Sequence, residues 1–145
     1  MARFEPTATD ASDAFWDGTR DEQYLVQWCT GCDVPIFYPR EVCPTCLHAE
    51  GLAWRPSSGA GTVYAVSIQH RPANPTMADR VPYAVALVEL DAGDGSRTIR
   101  IMSNVVGDDA TTIAVGDAVS LTWEALSDGR NLAVFAPASN GGDHA

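Results

Sequence analysis

The chain has 145 residues, of which 46% are apolar, and nine arginines stand against 19 acidic residues with no lysine, giving a formal charge of −10. This length allows one ordinary domain or two small ones, and the charge disfavours general binding to nucleic-acid phosphates. The longest apolar runs are strand-sized, as in residues 83–88, and the first residues carry no hydrophobic signal region, so we expect a cytoplasmic protein without a membrane span.

The N-terminal segment, residues 1–22, is predicted to hold a loose arm followed by a short helix. Residues 1–9 form the arm. The helix is placed over Asp10–Asp17, because its first residue or Ser12 can cap it and acidic side chains populate its first turn. Gly18 is expected to end it.

Two adjacent aromatic residues, Phe15 and Trp16, lie in this predicted helix. Neighbouring positions point to different sides of a helix, so the pair covers a broad face rather than one stripe. Two interpretations remain open: the face packs on the rest of the chain, or part of it docks on a partner protein.

Four cysteines, the only ones in the chain, form two Cys-x2-Cys pairs separated by ten residues: Cys29, Cys32, Cys43 and Cys46. Each pair can curl into a knuckle that directs two thiolates at one point, and two knuckles complete the tetrahedron that Zn2+ accepts. A closed four-thiolate site leaves no position for a reacting water, so the metal is expected to hold the fold. Two disulfides or a rubredoxin-like iron are the alternatives.

The cysteine pairs are the centre of a predicted zinc ribbon over residues 23–57. Tyr24–Trp28 is predicted as a strand that leads into the first knuckle, and Ile36–Tyr38 leads to the second. With few core residues of its own, the ribbon needs the metal in place of a hydrophobic core.

A turn-rich segment, residues 57–61, separates the ribbon from a region of regularly spaced strand signals. Five strands without a long helix indicate a mainly β protein whose second unit, residues 58–138, is a five-stranded OB-fold barrel. The predicted strands are Thr62–His70, Tyr83–Leu90, Thr98–Met102, Val119–Trp123 and Leu132–Phe135. Residues 139–145 are predicted to be a flexible tail.

The order of these motifs resembles the acyl-CoA-associated zinc-ribbon/OB-fold family catalogued as domain of unknown function thirty-five. The resemblance covers residues 13–137. It rests on Phe15-Trp16, Cys29 with Cys32, Phe37-Tyr38-Pro39-Arg40, Cys43-Pro44-Thr45-Cys46, Gly59-Ala60-Gly61-Thr62-Val63-Tyr64, Pro82–Leu90 and Val115–Val119. Where the family commonly has glycine after the second and fourth cysteines, this chain has Asp33 and Leu47.

The resemblance implies a non-catalytic accessory subunit of a thiolase-fold enzyme, either a thiolase or a thiolase-like aldolase of lipid or steroid side-chain metabolism. In such complexes the small protein helps to form a channel for CoA or the acyl chain, so acyl-CoA is a shared ligand and the partner supplies the catalytic residues. Two other classes are kept open: a free-standing nucleic-acid-binding module, which the acidic charge disfavours, and a stand-alone enzyme or redox protein.

The loop from Arg71 to Val81 is the candidate ligand-binding element, because it is too long for a hairpin turn and two prolines limit its freedom. Arg71 and Arg80 flank it and are suited to phosphates, while Met77 is suited to an acyl or pantetheine path. The alternative is a passive surface loop. Arg40 is either a partner or phosphate contact or an ion-pair member within the ribbon.

An active site of the chain's own is not expected. The cysteines are assigned to the metal, and His48 and His70 are more simply explained as solvated or structural residues than as a base beside a nucleophile.

Overall fold

A computed structural model describes residues 3–138 and contains one α-helix, α1, at Asp13–Arg20. The helix begins three residues later than predicted, because Ser12 N–H donates to Thr9 O at 2.9 Å in a preceding turn. Gly18 does not end the helix but is buried inside it, where a Cβ would lie 2.7 Å from Leu25 Cδ1. In this part of the chain no helix has the length and hydropathy needed to cross a membrane.

The extended segment before α1 is bound to the rest of the molecule, so the prediction of a loose arm is wrong for residues 3–9. The Glu5 carboxylate accepts hydrogen bonds from Ser127 N–H at 2.8 Å and Ser127 Oγ at 2.7 Å. Arg130 Nη2 donates to Pro6 O at 2.9 Å. The predicted tail, residues 139–145, lies outside the described residues.

The predicted ribbon is a three-stranded antiparallel sheet. Its strands are β1 (Leu25–Cys29), β2 (Val34–Ile36) and β3 (Leu52–Pro56), in the order β2-β1-β3. The central strand pairs on both edges and is buried on both faces, with Val26 and Trp28 on one face and Gln27 and Cys29 on the other. The third strand was not anticipated, because five residues with one aromatic side chain give a weak periodic signal.

The predicted five-stranded barrel is confirmed as a closed barrel with the strand order β4-β5-β6-β8-β7. All neighbouring strands are antiparallel except β6 and β8, which are parallel. The strands are β4 (Ala60–Gln69), β5 (Tyr83–Asp91), β6 (Thr98–Val105), β7 (Ala118–Ala125) and β8 (Asn131–Pro137). Two 3-10 helices, Pro75–Arg80 and Ala110–Thr112, lie in the connections.

The ribbon packs against the barrel in one hydrophobic core. Tyr24, Val26 and Trp28 belong to the same buried cluster as the barrel residues Leu90 and Phe135. The barrel therefore covers the apolar surface on one side of β1. A metal ion is needed to stabilise only the other side of the ribbon, where the cysteines lie.

Candidate metal centre and barrel-face cleft

The four cysteines converge at the far side of the ribbon. Their Sγ atoms all lie within 4.8 Å of one another, and Cys29 Sγ lies 3.8 Å from Cys46 Sγ. Four thiolates at the usual Zn–S bond length of about 2.3 Å stand roughly 3.8 Å apart at the corners of a tetrahedron. The separation fits a shared metal ion, and all four cysteines are free of disulfide bonds.

The knuckle backbone supplies part of the charge stabilisation that thiolates require. Cys32 N–H points at Cys29 Sγ and Thr45 N–H at Cys43 Sγ, both at 3.4 Å. Backbone donors, led by Cys46 N–H, lower the pKa of Cys43 to about 6 against the opposing effect of burial.

The pKa of Cys32 is shifted in the opposite direction from that of Cys43. It is raised, first by the hydrogen bond of Cys32 to Cys46. The short separations between the four sulfur atoms mean that four thiolate charges at this position require a bound cation to neutralise them. The donor set fits a structural Zn2+ held by all four cysteines, and the same tetrahedron also suits iron.

A cluster around Trp28 joins the metal centre to the barrel. Trp28 is fully buried, and its Nε1–H donates to Ala92 O at the end of β5, at 2.8 Å. The guanidinium groups of Arg55 and Arg97 lie 4.1 and 4.7 Å from its ring centroid. Both arginines also form ion pairs with Asp33 of the first knuckle, at 3.7 and 3.3 Å.

A second concave feature, the barrel-face cleft, lies on β5 and β6 under the first 3-10 helix. It consists of two adjoining cavities of about 270 and 350 Å3 that share Met77, Tyr83 and Asn104 in their walls. In an OB-fold the second and third strands, here β5 and β6, form the usual ligand-binding face together with the loop between the first two strands. The cleft therefore lies where this fold binds ligands.

Two arginines meet one carboxylate in the wall of this cleft. Glu124 accepts from Arg80 Nη2 at 2.8 Å and from Arg3 Nη1 at 3.1 Å. Arg3 Nη2 also donates to Asn104 Oδ1 at 3.2 Å. Partial burial raises the pKa of Glu124, but the hydrogen bond from Arg80 and the charge of Arg3 together bring it below its usual value. The three side chains leave one net positive charge in a strongly acidic protein.

The predicted ligand loop is only partly directed at this cleft. Met77 is 7% exposed and lines both cavities, and Arg80 lines the smaller one. The loop is ordered by Asn74, whose side chain accepts from Thr76 N–H at the start of the 3-10 helix. Arg71 is exposed and lines neither cavity.

The predicted docking residues differ in how far they are already engaged. Phe15 packs edge-on against Tyr24 at a centroid distance of 4.9 Å and contacts the barrel core. Trp16 is half-buried, with Arg130 4.9 Å from its ring centroid. Arg40 is exposed and lies 4.7 Å from the Tyr38 ring centroid rather than in an ion pair of the described chain.

Three cleft residues were not anticipated from the sequence: Arg3, Asn104 and Glu124. Arg3 belongs to the N-terminal segment, Asn104 to β6 and Glu124 to β7. Arg3 is therefore more than a hundred residues away from each of the other two along the chain. No local pattern connects such positions, and only the alternation of β6 and β7 could have indicated which side chains share a face.

Comparison with protein-family models matches both parts of the chain. Residues 16–53 match the rubredoxin-like zinc ribbon domain of ChsH2, and residues 54–124 match the C-terminal OB-fold domain of ChsH2. The fold and the four-cysteine centre thus define a zinc-ribbon/OB-fold protein.

Curated relatives and a solved structure agree with this class. A DUF35 domain-containing scaffold protein of Methanothermobacter thermautotrophicus is 30% identical over 69% of this chain and 71% of its own length. A chain of the Ltp2-ChsH2(DUF35) aldolase is 27% identical and superposes with a TM-score of 0.78, covering 92% of this chain and 98% of that chain. The protein belongs to the DUF35 family of zinc-ribbon/OB-fold proteins.

Other relatives are longer. A probable enoyl-CoA hydratase alpha subunit of Thermomonospora curvata is 33% identical over 90% of this chain. A 3-oxo-4,17-pregnadiene-20-carboxyl-CoA hydratase alpha subunit of Mycobacterium tuberculosis is 27% identical over 84%. The chain spans only 39% and 36% of the lengths of these two relatives.

Proposed function

We propose that this protein is a non-catalytic accessory subunit of a thiolase-fold enzyme, a thiolase or thiolase-like aldolase that acts on acyl-CoA in lipid or steroid side-chain metabolism in the cytoplasm. The observation that carries the proposal is the end-to-end correspondence with a chain of the Ltp2-ChsH2(DUF35) aldolase. The names of the two hydratase alpha subunits contain a CoA ester, which supports acyl-CoA as the substrate class.

The site chemistry supports a subunit that depends on a partner for catalysis. The four thiols are grouped around one metal position. Among the described residues, His48 and His70 are exposed and neither lines the cleft. A histidine that lies outside the lining of the ligand cavity is not placed to act as a base on a ligand bound there.

The cleft supports a role in forming the acyl-CoA channel. Met77, Val106 and Ala110 offer apolar wall to an acyl or pantetheine chain, and Arg80 offers a guanidinium to a phosphate. An open cleft on a chain of charge −10 is unsuited to retaining a polyanion alone, so the partner's surface would complete the channel.

The test is co-expression with a thiolase-fold protein encoded beside its gene, followed by a pull-down, a zinc assay and an acyl-CoA cleavage or condensation assay. We expect a zinc-loaded complex that is active where neither chain is active alone. A zinc-loaded protein that stays alone, binds single-stranded RNA and leaves the candidate partner's activity unchanged would overturn the proposal in favour of a free-standing nucleic-acid-binding module.

A further inference from the structure

Residues 37–47, the knuckle loop, follow β2 and include the second knuckle. The exposed surface of this loop is unusually apolar. Eight large hydrophobic side chains are exposed in the described part of the chain, and four of them lie in this loop. They are Phe37, Tyr38, Val42 and Leu47, at 43%, 62%, 42% and 71% exposure. Such a concentration in eleven residues indicates an interaction surface rather than scattered exposure.

Leu47 is the most informative of the four. Its φ angle is +64°, a left-handed conformation that glycine adopts freely and that a residue with a Cβ adopts only at a cost. The backbone here closes the second knuckle, with Leu47 N–H donating to Cys43 O at 2.8 Å, and glycine could make the same turn. A strained leucine whose side chain reaches into solvent gains nothing for the isolated fold, which favours a role in contact with another molecule.

The knuckle loop is also held in shape before any contact forms. Buried Gln27 accepts from Arg40 N–H at 2.8 Å and donates to Arg40 O at 2.9 Å, which fixes the loop backbone at its midpoint. Phe37 and Tyr38 form an edge-on ring pair with a centroid distance of 6.0 Å, and Arg40 stacks on Tyr38. Preordered tyrosine and arginine side chains are typical of residues that contribute most to binding, because little side-chain entropy is lost on contact.

Charge indicates what covers this surface. Glu41 in the loop and Glu50 just after it are exposed and form no ion pair within residues 3–138. A Zn2+ ion with four thiolates would add a net charge of −2. A second copy of the chain would bring a like charge of −10 against this rim. The complementary surface is an apolar depression bordered by basic side chains.

We propose that the knuckle loop, with Tyr38 and Leu47 as its main contacts, is the surface by which the protein docks on its thiolase-fold subunit. This inference rests on the proposed function. It places the principal contact in the loop rather than at Phe15, which is engaged with Tyr24 and the barrel core.

The experiment measures the affinity of the full-length zinc-loaded chain for the purified thiolase-fold subunit by calorimetry. Two variants test the loop, Leu47→Gly and Tyr38→Ser, and Val115→Ser is the matched control because Val115 is equally exposed, at 65%, on a barrel loop. We expect each loop variant to raise Kd at least about tenfold and the control to stay within about twofold.

Leu47→Gly separates docking from folding, since glycine relieves the left-handed strain. Its thermal midpoint and zinc content should be no lower than those of the wild type while its affinity falls. Wild-type affinity in both loop variants would overturn the docking surface and leave the accessory-subunit function standing. Failure of the wild type to bind any thiolase-fold subunit would overturn both proposals. A dimer of this chain that Leu47→Gly dissociates would overturn the choice of partner.

Discussion

Trp28 is the residue on which the ribbon and the barrel meet. Its ring is completely buried in the shared core, its N–H reaches a barrel carbonyl, and two arginines cover its face. Those arginines in turn contact Asp33, including a hydrogen bond from Arg97 to the Asp33 carbonyl. One side chain thus couples the position of the metal knuckle to the end of β5.

Replacing Trp28 with phenylalanine keeps the aromatic ring but removes the N–H donor and leaves a small void. We expect a loss of about 2–4 kcal/mol in the free energy of unfolding, from an unpaired Ala92 carbonyl together with reduced packing. Urea denaturation followed by circular dichroism measures this. Trp16→Phe is the control, because Trp16 is half-buried and its indole N–H has no hydrogen-bond partner in the described chain, and its effect should stay under roughly 0.5 kcal/mol.

Glu124 should make stability depend on pH in a defined direction. Because its folded-state pKa is lowered, its contribution is present above the ordinary value of about 4.3 and is lost as the pH falls through the lower folded value. We expect Glu124→Gln to unfold at a lower urea concentration than the wild type at pH 7, and the gap between them to narrow as the pH falls below about 4.3. Metal loss in acid affects both proteins, so the difference isolates Glu124; a gap independent of pH would mean that packing alone distinguishes them.

Among the elements, the ribbon has two unlike sides. One side of β1 is part of the barrel core, while the other forms a small cluster of Cys29, Ile36 and Cys43. The second cluster is too small to order the knuckles alone, so their order depends on the metal. Removal of the metal should therefore loosen the outer half of the ribbon and spare the strand that the barrel holds.

Trypsin can report this loosening at a single site. Arg55 and Arg71 precede proline, so Arg40 is the only tryptic site between residues 21 and 79. We expect chelation of zinc, or the Cys29→Ser substitution, to raise the rate of cleavage after Arg40 at least about tenfold. Mass spectrometry identifies the fragments. First cleavage after Arg80 or Arg100 would instead show that the barrel opens before the ribbon.

At the scale of the whole molecule, the negative net charge contrasts with a local positive charge in the cleft. The formal charge of −10 repels anionic ligands at long range, while Arg3 and Arg80 give the cleft a local positive excess over Glu124. A polyanionic ligand would therefore gain from this site only where another surface shields it from the remaining charge. That requirement agrees with a channel completed by a second subunit.

Arg80→Gln tests the cleft within the complex. Loss of a hydrogen bond to a charged group contributes roughly 1.5–3 kcal/mol, so we expect KM for acyl-CoA to rise at least about tenfold with kcat little changed. Steady-state kinetics of the reconstituted complex provide the measurement. Arg71→Gln is the control, since Arg71 belongs to the same loop but lies outside the cleft lining, and equal effects of both variants would point to the general charge of the loop.

The features that could be predicted from the sequence are those that depend on local patterns within short segments. The spacing of four cysteines and the two-residue alternation of the barrel strands depend on local geometry, and both are confirmed. The helix boundary was misplaced because Gly18 serves a tertiary contact with Leu25 rather than a cap. The partners of Arg3 were beyond prediction, because they depend on which strand ends the closed barrel brings beside the N-terminal segment.

The parallel seam between β6 and β8 is the most sparsely paired junction of the barrel. Between β6 and β8 the register contains one pair, Val105 with Phe135, supplemented by the hydrogen bonds from Val106 N–H to Phe135 O and from Ser103 Oγ to Ala133 O. Ser103 and Ala133 also line the larger cavity. Parting β6 from β8 breaks fewer ladder hydrogen bonds than parting any antiparallel pair of the barrel, so we expect local opening of the barrel to begin at this seam and to widen the larger cavity.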